Sequence, residues 1–350
     1  MRLLKLAALV ATASLLTVLG VPTLASAAPE ERTRVKVCPL TENGPESVER
    51  LTGADRFEVA VRASQEVFPR GADVVYLASG TAFADALAGS GAAGYRDGPL
   101  LLVRRDAVSG SVLAELARLS PREVVLLGGT ASISAEVEAS LDYLPATVTR
   151  VSGVDRYDVA AKLKHGVFGD SNDLLYIASG EVFPDALSAS AAAGDWDVPV
   201  LLSRKAGLPE STLKALRSES VLEEIVVVGG TATISDAVVA QLAEFAPVRR
   251  ILAPDRYAVS AATSKDTFCE LNPVVYVASG EVFPDALGGS AAAIESGAPV
   301  LLVKKDVVPG SVVEELKRLR PQQIKVLGGP NTISDSVVLQ LHDYLRSAMP

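Results

Sequence analysis

One pattern recurs three times in this chain, one hundred residues apart. Asp55-Arg56-Phe57, Asp155-Arg156-Tyr157 and Asp255-Arg256-Tyr257 each open a block. After them come YLASGTAFADAL from Tyr76, YIASGEVFPDAL from Tyr176 and YVASGEVFPDAL from Tyr276. The apolar segments Pro99 to Leu102, Pro199 to Leu202 and Pro299 to Leu302 follow, and then the double glycines Gly128-Gly129, Gly229-Gly230 and Gly328-Gly329. Solenoid repeats are shorter than this and cannot bury a core alone, so the period predicts a triplicated domain in which each unit owns a core.

Within the second block, the short β-branched runs Leu174 to Ala178, Val200 to Leu202 and Ile225 to Val228 suit buried strands. Between them, Tyr157 to Val167 and Leu208 to Leu216 carry apolar residues at helical spacing, and Ser235 caps a helix running to Phe245. The alternation predicts an α/β fold, three tandem Rossmann-like units with mostly parallel sheets. Only Pro145-Ala146-Thr147 separates the first block from the strand-like run Val148 to Ser152, and the second joint repeats the pattern. Similar units on such short tethers pack through related surfaces. A closed pseudo-threefold ring is the economical arrangement, and an open, bent row is the alternative. The expected boundaries are a signal peptide at 1–27, an extension at 28–47 and repeats at 48–146, 147–246 and 247–350.

The signal peptide is read from Arg2 and Lys5, the apolar run Leu6 to Leu24 and the small-x-small site Ala25-Ser26-Ala27. No further membrane span is expected, and the protein is expected to be secreted to the cell wall or surface. Losing Arg2 and Lys5 with the signal takes the formal charge from −9 to −11, an acidic balance that disfavours general nucleic-acid binding. Two cysteines in an exported chain more often form a bridge than serve as reactive thiols, and ring closure would bring Cys38 near Cys269. The loop-entropy argument gives such a bridge up to about 5 kcal/mol. A free, buried pair is the alternative.

Catalytic residues, cofactor and metal are all expected to be absent. His165 and His342 fall at unrelated repeat positions, and the sequence holds no HExxH, GxSxG, P-loop or paired-cysteine motif. Gly89 to Gly94 satisfies GxGxxG, but inside a helix-like segment, and the counterparts from Ser188 and Gly288 keep only the small side chains. Helix packing explains all three. Asp85, Asp185 and Asp285 sit where a strand ends and a helix begins, a candidate site for sugar hydroxyls, although capping of loop amides is the commoner role. One carboxylate per unit argues against glycoside hydrolysis there. The double glycines permit tight turns before capped helices and could admit an anion. The stronger binding signal is the pair of cations after each leucine strand: Arg104-Arg105, Arg204-Lys205 and Lys304-Lys305. Six cations drawn into related grooves could follow a repeating anionic chain, each contact weak and the set gaining by avidity.

The DRF/DRY start, the ASGxxFxDAL segment, the leucine strand and the GGxxxIS end together resemble the cell-wall-binding repeat 2 family of Gram-positive bacteria, over nearly all of residues 48 to 346. The resemblance implies a pseudo-threefold trimer of Rossmann-like units that anchors non-covalently to an anionic wall polysaccharide or teichoic-type polymer. It ties recognition to Leu101-Leu102, Leu201-Leu202 and Leu301-Leu302 with the basic pairs after them. Read from the residues alone, those leucines are core strand positions that shape a groove. The competing readings are an adhesion or assembly protein with a protein partner and, less favoured, a wall hydrolase. Relatives often carry an amidase, protease or adhesin, for which the segment from Ala28 to Glu49 is too short.

Overall fold

A computed structural model describes residues 46–81 and 84–347. The expected signal peptide and Cys38 lie outside the described residues; Cys269, just after the third repeat's first helix, is not a free thiol.

The first repeat runs β1 (Ser47–Leu51), α1 (Arg56–Val67), β2 (Val74–Ser79), α2 (Ala84–Tyr95), β3 (Leu100–Val103), α3 (Gly110–Leu119), β4 (Glu123–Leu127) and α4 (Ala135–Ala139). The second runs β5 (Thr147–Val151), α5 (Arg156–Leu163), a π-helical turn over Lys164–Phe168, β6 (Leu174–Ser179), α6 (Phe183–Asp195), β7 (Val200–Ser203), α7 (Glu210–Arg217), β8 (Glu224–Val228) and α8 (Asp236–Leu242). The third runs β9 (Val248–Ile251), α9 (Arg256–Thr267), β10 (Val274–Ser279), α10 (Pro284–Glu295), β11 (Val300–Val303), α11 (Gly310–Leu319), β12 (Gln323–Leu327) and α12 (Asp335–Ser347).

Strands and helices follow from local chemistry. The central strands β2 and β6 are buried along their whole length, which is why they read as unbroken apolar runs rather than alternating ones. The aspartate of each DRF/DRY motif caps the helix it opens: Asp55 accepts from the amides of Phe57 and Glu58, Asp155 from Tyr157 and Asp158, and Asp255 from Ala258.

Every strand pair is parallel, and the sheet orders are β3-β2-β4-β5, β7-β6-β8-β9 and β11-β10-β12-β1. The strand that opens each repeat therefore completes the sheet of another. β5 lies on β4 with Val151 opposite Leu127, β9 lies on β8 with Ile251 opposite Val228, and β1 returns to β12 with Leu51 opposite Leu327. This cyclic loan of strands closes the ring and excludes the open row.

Helices close it a second time. α2, α6 and α10 pack on one another around the pseudo-threefold axis, while α2 also packs on α5, α6 on α9 and α10 on α1. Small side chains permit the approach: a Cβ on Gly94 would stand 2.3 Å from Ile294, and one on Gly194 2.6 Å from the same residue. Ser190 donates its hydroxyl to the Leu87 carbonyl at 2.8 Å, and Ser90 donates to Leu287 at 3.3 Å. The GxGxxG of Gly89 to Gly94 lies wholly within α2, where Gly89 and Gly94 admit Leu127 and Ile294 at close range while Gly91 faces open space.

Candidate functional site: the basic rim at the strand ends

Parallel strands put all their C-terminal ends on one edge of each sheet, the edge where open α/β sheets usually hold ligands. In each sheet the switch point falls between the two middle strands, β2 and β4 in the first. The structure fills that crevice with protein. Asp85 accepts a hydrogen bond from Ser132 Oγ at 3.0 Å, Asp185 accepts from Thr233 Oγ1 at 2.9 Å, and Asp285 bonds to Thr332. Burial pushes all three carboxyls above the usual carboxylate range, against the pull of those hydroxyls and of Arg156, Arg256 and Arg56 respectively, each supplied by another repeat. Asp185 and Asp285 are buried and Asp85 is half-buried, which leaves a sugar hydroxyl little access to the strand-end carboxylates. These aspartates tie one loop to the next through side-chain hydroxyls.

The double-glycine turns are occupied as well. Gly128, Gly229 and Gly328 adopt φ of +99°, +118° and +107°, and a Cβ at Gly128 would stand 2.3 Å from Asp85 Oδ2, so glycine is required there. An arginine from the borrowed strand then enters each turn. Arg150 Nη1 donates to the carbonyls of Gly128 and Ile133, both at 2.9 Å. Arg50 does the same at Gly328 (2.9 Å) and Ile333 (2.8 Å), and Arg250 at Gly229 (2.8 Å) and Ile234. These turns present carbonyl oxygens to a cation, which is the opposite of the anion site considered from sequence. Sequence reasoning passed over the three arginines although they too recur one hundred residues apart.

Leu101, Leu102, Leu201, Leu202, Leu301 and Leu302 are fully buried in β3, β7 and β11. They offer no surface to a ligand; they fix where the chain emerges. At that exit each basic pair is exposed. The first cation of each pair lies over the aromatic ring of its own repeat's DRF/DRY motif, Arg104 4.8 Å from the Phe57 centroid, Arg204 5.1 Å from Tyr157 and Lys304 5.6 Å from Tyr257. Arg104 also reaches Asp55 at 3.5 Å and Arg204 reaches Asp155 at 3.4 Å. The second cation is held through its backbone: the carbonyls of Arg105, Lys205 and Lys305 accept from the amides of Ser134, Ser235 and Ser334 at 2.8, 2.9 and 2.8 Å. Beside the pair, Arg56, Arg156 and Arg256 each donate to the carbonyl of Gly80, Gly180 or Gly280 at 2.5 Å. The result is a rigid rim bearing exposed cations at three equivalent positions, an arrangement suited to binding anions.

The description "cell wall binding domain 2" matches residues 50–138, 150–239 and 250–338, one match per repeat. The chain belongs to the cell wall binding domain 2 family. Its three units are thus wall-binding repeats, and each match begins at the arginine that enters the double-glycine turn. Among curated relatives of this family, the amidase enhancer of Bacillus subtilis (strain 168) is 28% identical over 84% of this chain and 40% of its own length. The N-acetylmuramoyl-L-alanine amidase LytC of the same organism is 25% identical over 84% of this chain and 58% of its own length. Among solved structures, Cwp6 from Clostridium difficile superposes with a TM-score of 0.80 at 27% identity, covering 90% of this chain and 50% of that one. Cwp8 from the same organism gives 0.76 at 26% identity, covering 85% and 52%. The chain spans about half the length of these relatives. Among the described residues, no helix is long and apolar enough to cross a membrane.

Proposed function

We propose that the three repeats hold the protein at the Gram-positive cell surface by non-covalent, non-catalytic binding of an anionic wall polysaccharide or teichoic-type polymer, after export directed by residues 1–27. The observation that supports this reading is the emergence of two exposed cations at the same sheet edge of every repeat of an otherwise acidic chain. Fully buried leucine strands deliver them, and the aromatic rings hold the first cation of each pair, so less conformational entropy remains to be lost there when a polyanion docks. Repetition on one molecule converts weak single contacts into avidity. A bridge between Cys38 and Cys269 belongs to the same reading; thiols that alkylate without prior reduction would count against it.

The test is co-sedimentation of the protein with purified cell walls, before and after hydrofluoric acid strips phosphodiester-linked polymers. Binding is expected to saturate, to weaken as salt rises and to weaken in Arg204→Gln/Lys205→Gln. Loss on stripping assigns a phosphate-linked polymer, and retention assigns a polysaccharide joined otherwise. A protein that stays in the supernatant with both preparations sinks the reading and favours a protein partner.

A further inference from the structure

The three basic pairs share a position but not an electrostatic state. In the first repeat both cations are neutralised within the protein: Arg104 faces Asp55 at 3.5 Å, and Arg105 pairs with Asp106 at 2.8 Å while donating to the Ala131 carbonyl at 3.2 Å. In the second repeat one is neutralised. Arg204 faces Asp155 at 3.4 Å, whereas Lys205 forms no ion pair among the described residues, although its amide donates to Glu181 Oε2 at 3.1 Å and so draws that carboxylate alongside. In the third repeat neither ammonium forms an ion pair among the described residues.

Among the described residues no carboxylate comes within ion-pair distance of either ammonium of the third pair, although three acids stand near it. Asp255 Oδ1 caps its helix at the Ala258 amide (2.8 Å) as Asp55 and Asp155 cap theirs, but unlike theirs its second oxygen makes no ion pair with the cation of its own repeat; Glu281 Oε1 accepts from the Tyr257 hydroxyl at 3.5 Å, on the ring over which Lys304 lies. Asp306 is fixed through its backbone carbonyl, which accepts from Ser336 and Gln340, both at 3.1 Å. An ammonium with no carboxylate to surrender binds an incoming anion without first losing a partner, whereas Arg104 and Arg105 must exchange one for the other.

Resting on the reading of the rim as the binding surface, we infer that Lys304 and Lys305 form the principal anion contact of the molecule, with the second repeat next and the first repeat last. The third repeat thereby contributes most to affinity for the anionic groups of the polymer.

The experiment compares Lys304→Gln/Lys305→Gln, Arg204→Gln/Lys205→Gln and Arg104→Gln/Arg105→Gln by co-sedimentation with purified walls. Titration with soluble polyphosphate and polygalacturonate separates phosphate from carboxylate as the preferred group. All six side chains are exposed, so thermal melting of each variant is expected to match the wild type. The third-repeat variant is expected to lose about fivefold or more in affinity, and the first-repeat variant less than about twofold. Asp106→Asn frees Arg105 and is expected to raise affinity. Equal losses in all three variants, or the largest loss in the first repeat, overturn the inference while leaving the wall-binding reading intact. Failure of the wild type itself to sediment sinks that reading instead.

Discussion

Lys325 Nζ, on the buried face of β12, lies 2.6 Å from Glu49 Oε2 on β1, and the same ammonium lies 2.6 Å from Glu66 on α1. The pairing joins residues 276 positions apart and stands at the seam where the third repeat receives its strand from the first. Burial lowers the Lys325 pKa, but hydrogen bonds to the two glutamates more than offset that and leave it above the ordinary lysine value.

Lys325→Met is therefore expected to cost about 1–3 kcal/mol at neutral pH, below the figure for a fully buried pair because both glutamates keep some water. The lysine's contribution is present at neutral pH and is lost as pH rises through its raised pKa. Urea denaturation of the variant measures it; a midpoint equal to wild type would show that the seam does not depend on this cluster. Adding Glu49→Gln and Glu66→Gln to the variant should recover part of the loss.

The arginines of the borrowed strands lead to a larger effect. Arg150 satisfies the carbonyls of Gly128 and Ile133 and also reaches Glu138 at 2.9 Å. Arg150→Ala is expected to destabilise by about 2–4 kcal/mol, since two carbonyls lose their donor together. Arg150→Lys should rescue little, because one ammonium cannot reproduce the fork that serves both carbonyls and the carboxylate. Full rescue by lysine, seen in the same denaturation assay, would contradict this account of the turn.

Two glycines in the central helices should respond in opposite directions. At Gly288 an added Cβ would stand 2.5 Å from Ala60 Cβ and 2.8 Å from its Cα, across the contact between α10 and α1. At Gly91 nothing lies within 4 Å. Gly288→Ala is expected to lower stability by about 1–3 kcal/mol through overpacking. Gly91→Ala should raise it by about 0.5–1 kcal/mol through helix propensity. Thermal melting of the pair decides the matter, and a shared sign would mean that the small residues of these helices are not there for packing.

Much of this architecture was legible in the sequence because parallel α/β units leave strong local marks. The runs Leu174 to Ala178 and Ile225 to Val228 became β6 and β8 nearly residue for residue, and Ser235 caps the helix it precedes. The helix expected from Tyr157 to Val167 keeps its extent but changes hydrogen-bonding pattern at Lys164. That side chain is fully buried, with its ammonium 2.7 Å from Asp170 and 2.6 Å from Glu219. The partner of the run at Val148 was not legible. Apolar periodicity says that a strand is half-buried, not which sheet receives it, and β5 continues the preceding sheet by lying on β4. At the rim, the cations were visible as repeated pairs, but the pairing of Arg104 with Asp55 and of Arg204 with Asp155 depends on side chains brought together from segments 49 positions apart. The buried state of Asp185 was hidden for the same reason, since its partner Thr233 lies 48 positions away.

That buried carboxylate gives a prediction with a definite sign. Burial raises the Asp185 pKa, so the folded protein binds this proton more tightly than the unfolded chain does. The group's contribution to stability therefore improves as pH falls from neutral through the raised value, opposite to the contribution of Glu115, which its bonds to Arg118 and Ser64 hold below the usual range against its burial. Asp185→Asn keeps an oxygen for Thr233 and removes the titration. Its stability relative to wild type is expected to be most favourable near neutral pH and to decline as pH falls. A difference between the two proteins that stays constant from neutral to acid pH would mean that the aspartate is not desolvated.

The lending of β1, β5 and β9 also governs how such a molecule can change its copy number. A repeat cut out at its own boundaries carries away the strand that finishes its neighbour's sheet, and leaves its own β4, β8 or β12 with an uncovered edge open to pairing with another chain. Duplication or loss of one unit must therefore break a seam and make a new one at a different angle about the axis. Three is the number at which the last open edge is covered by the first repeat's strand.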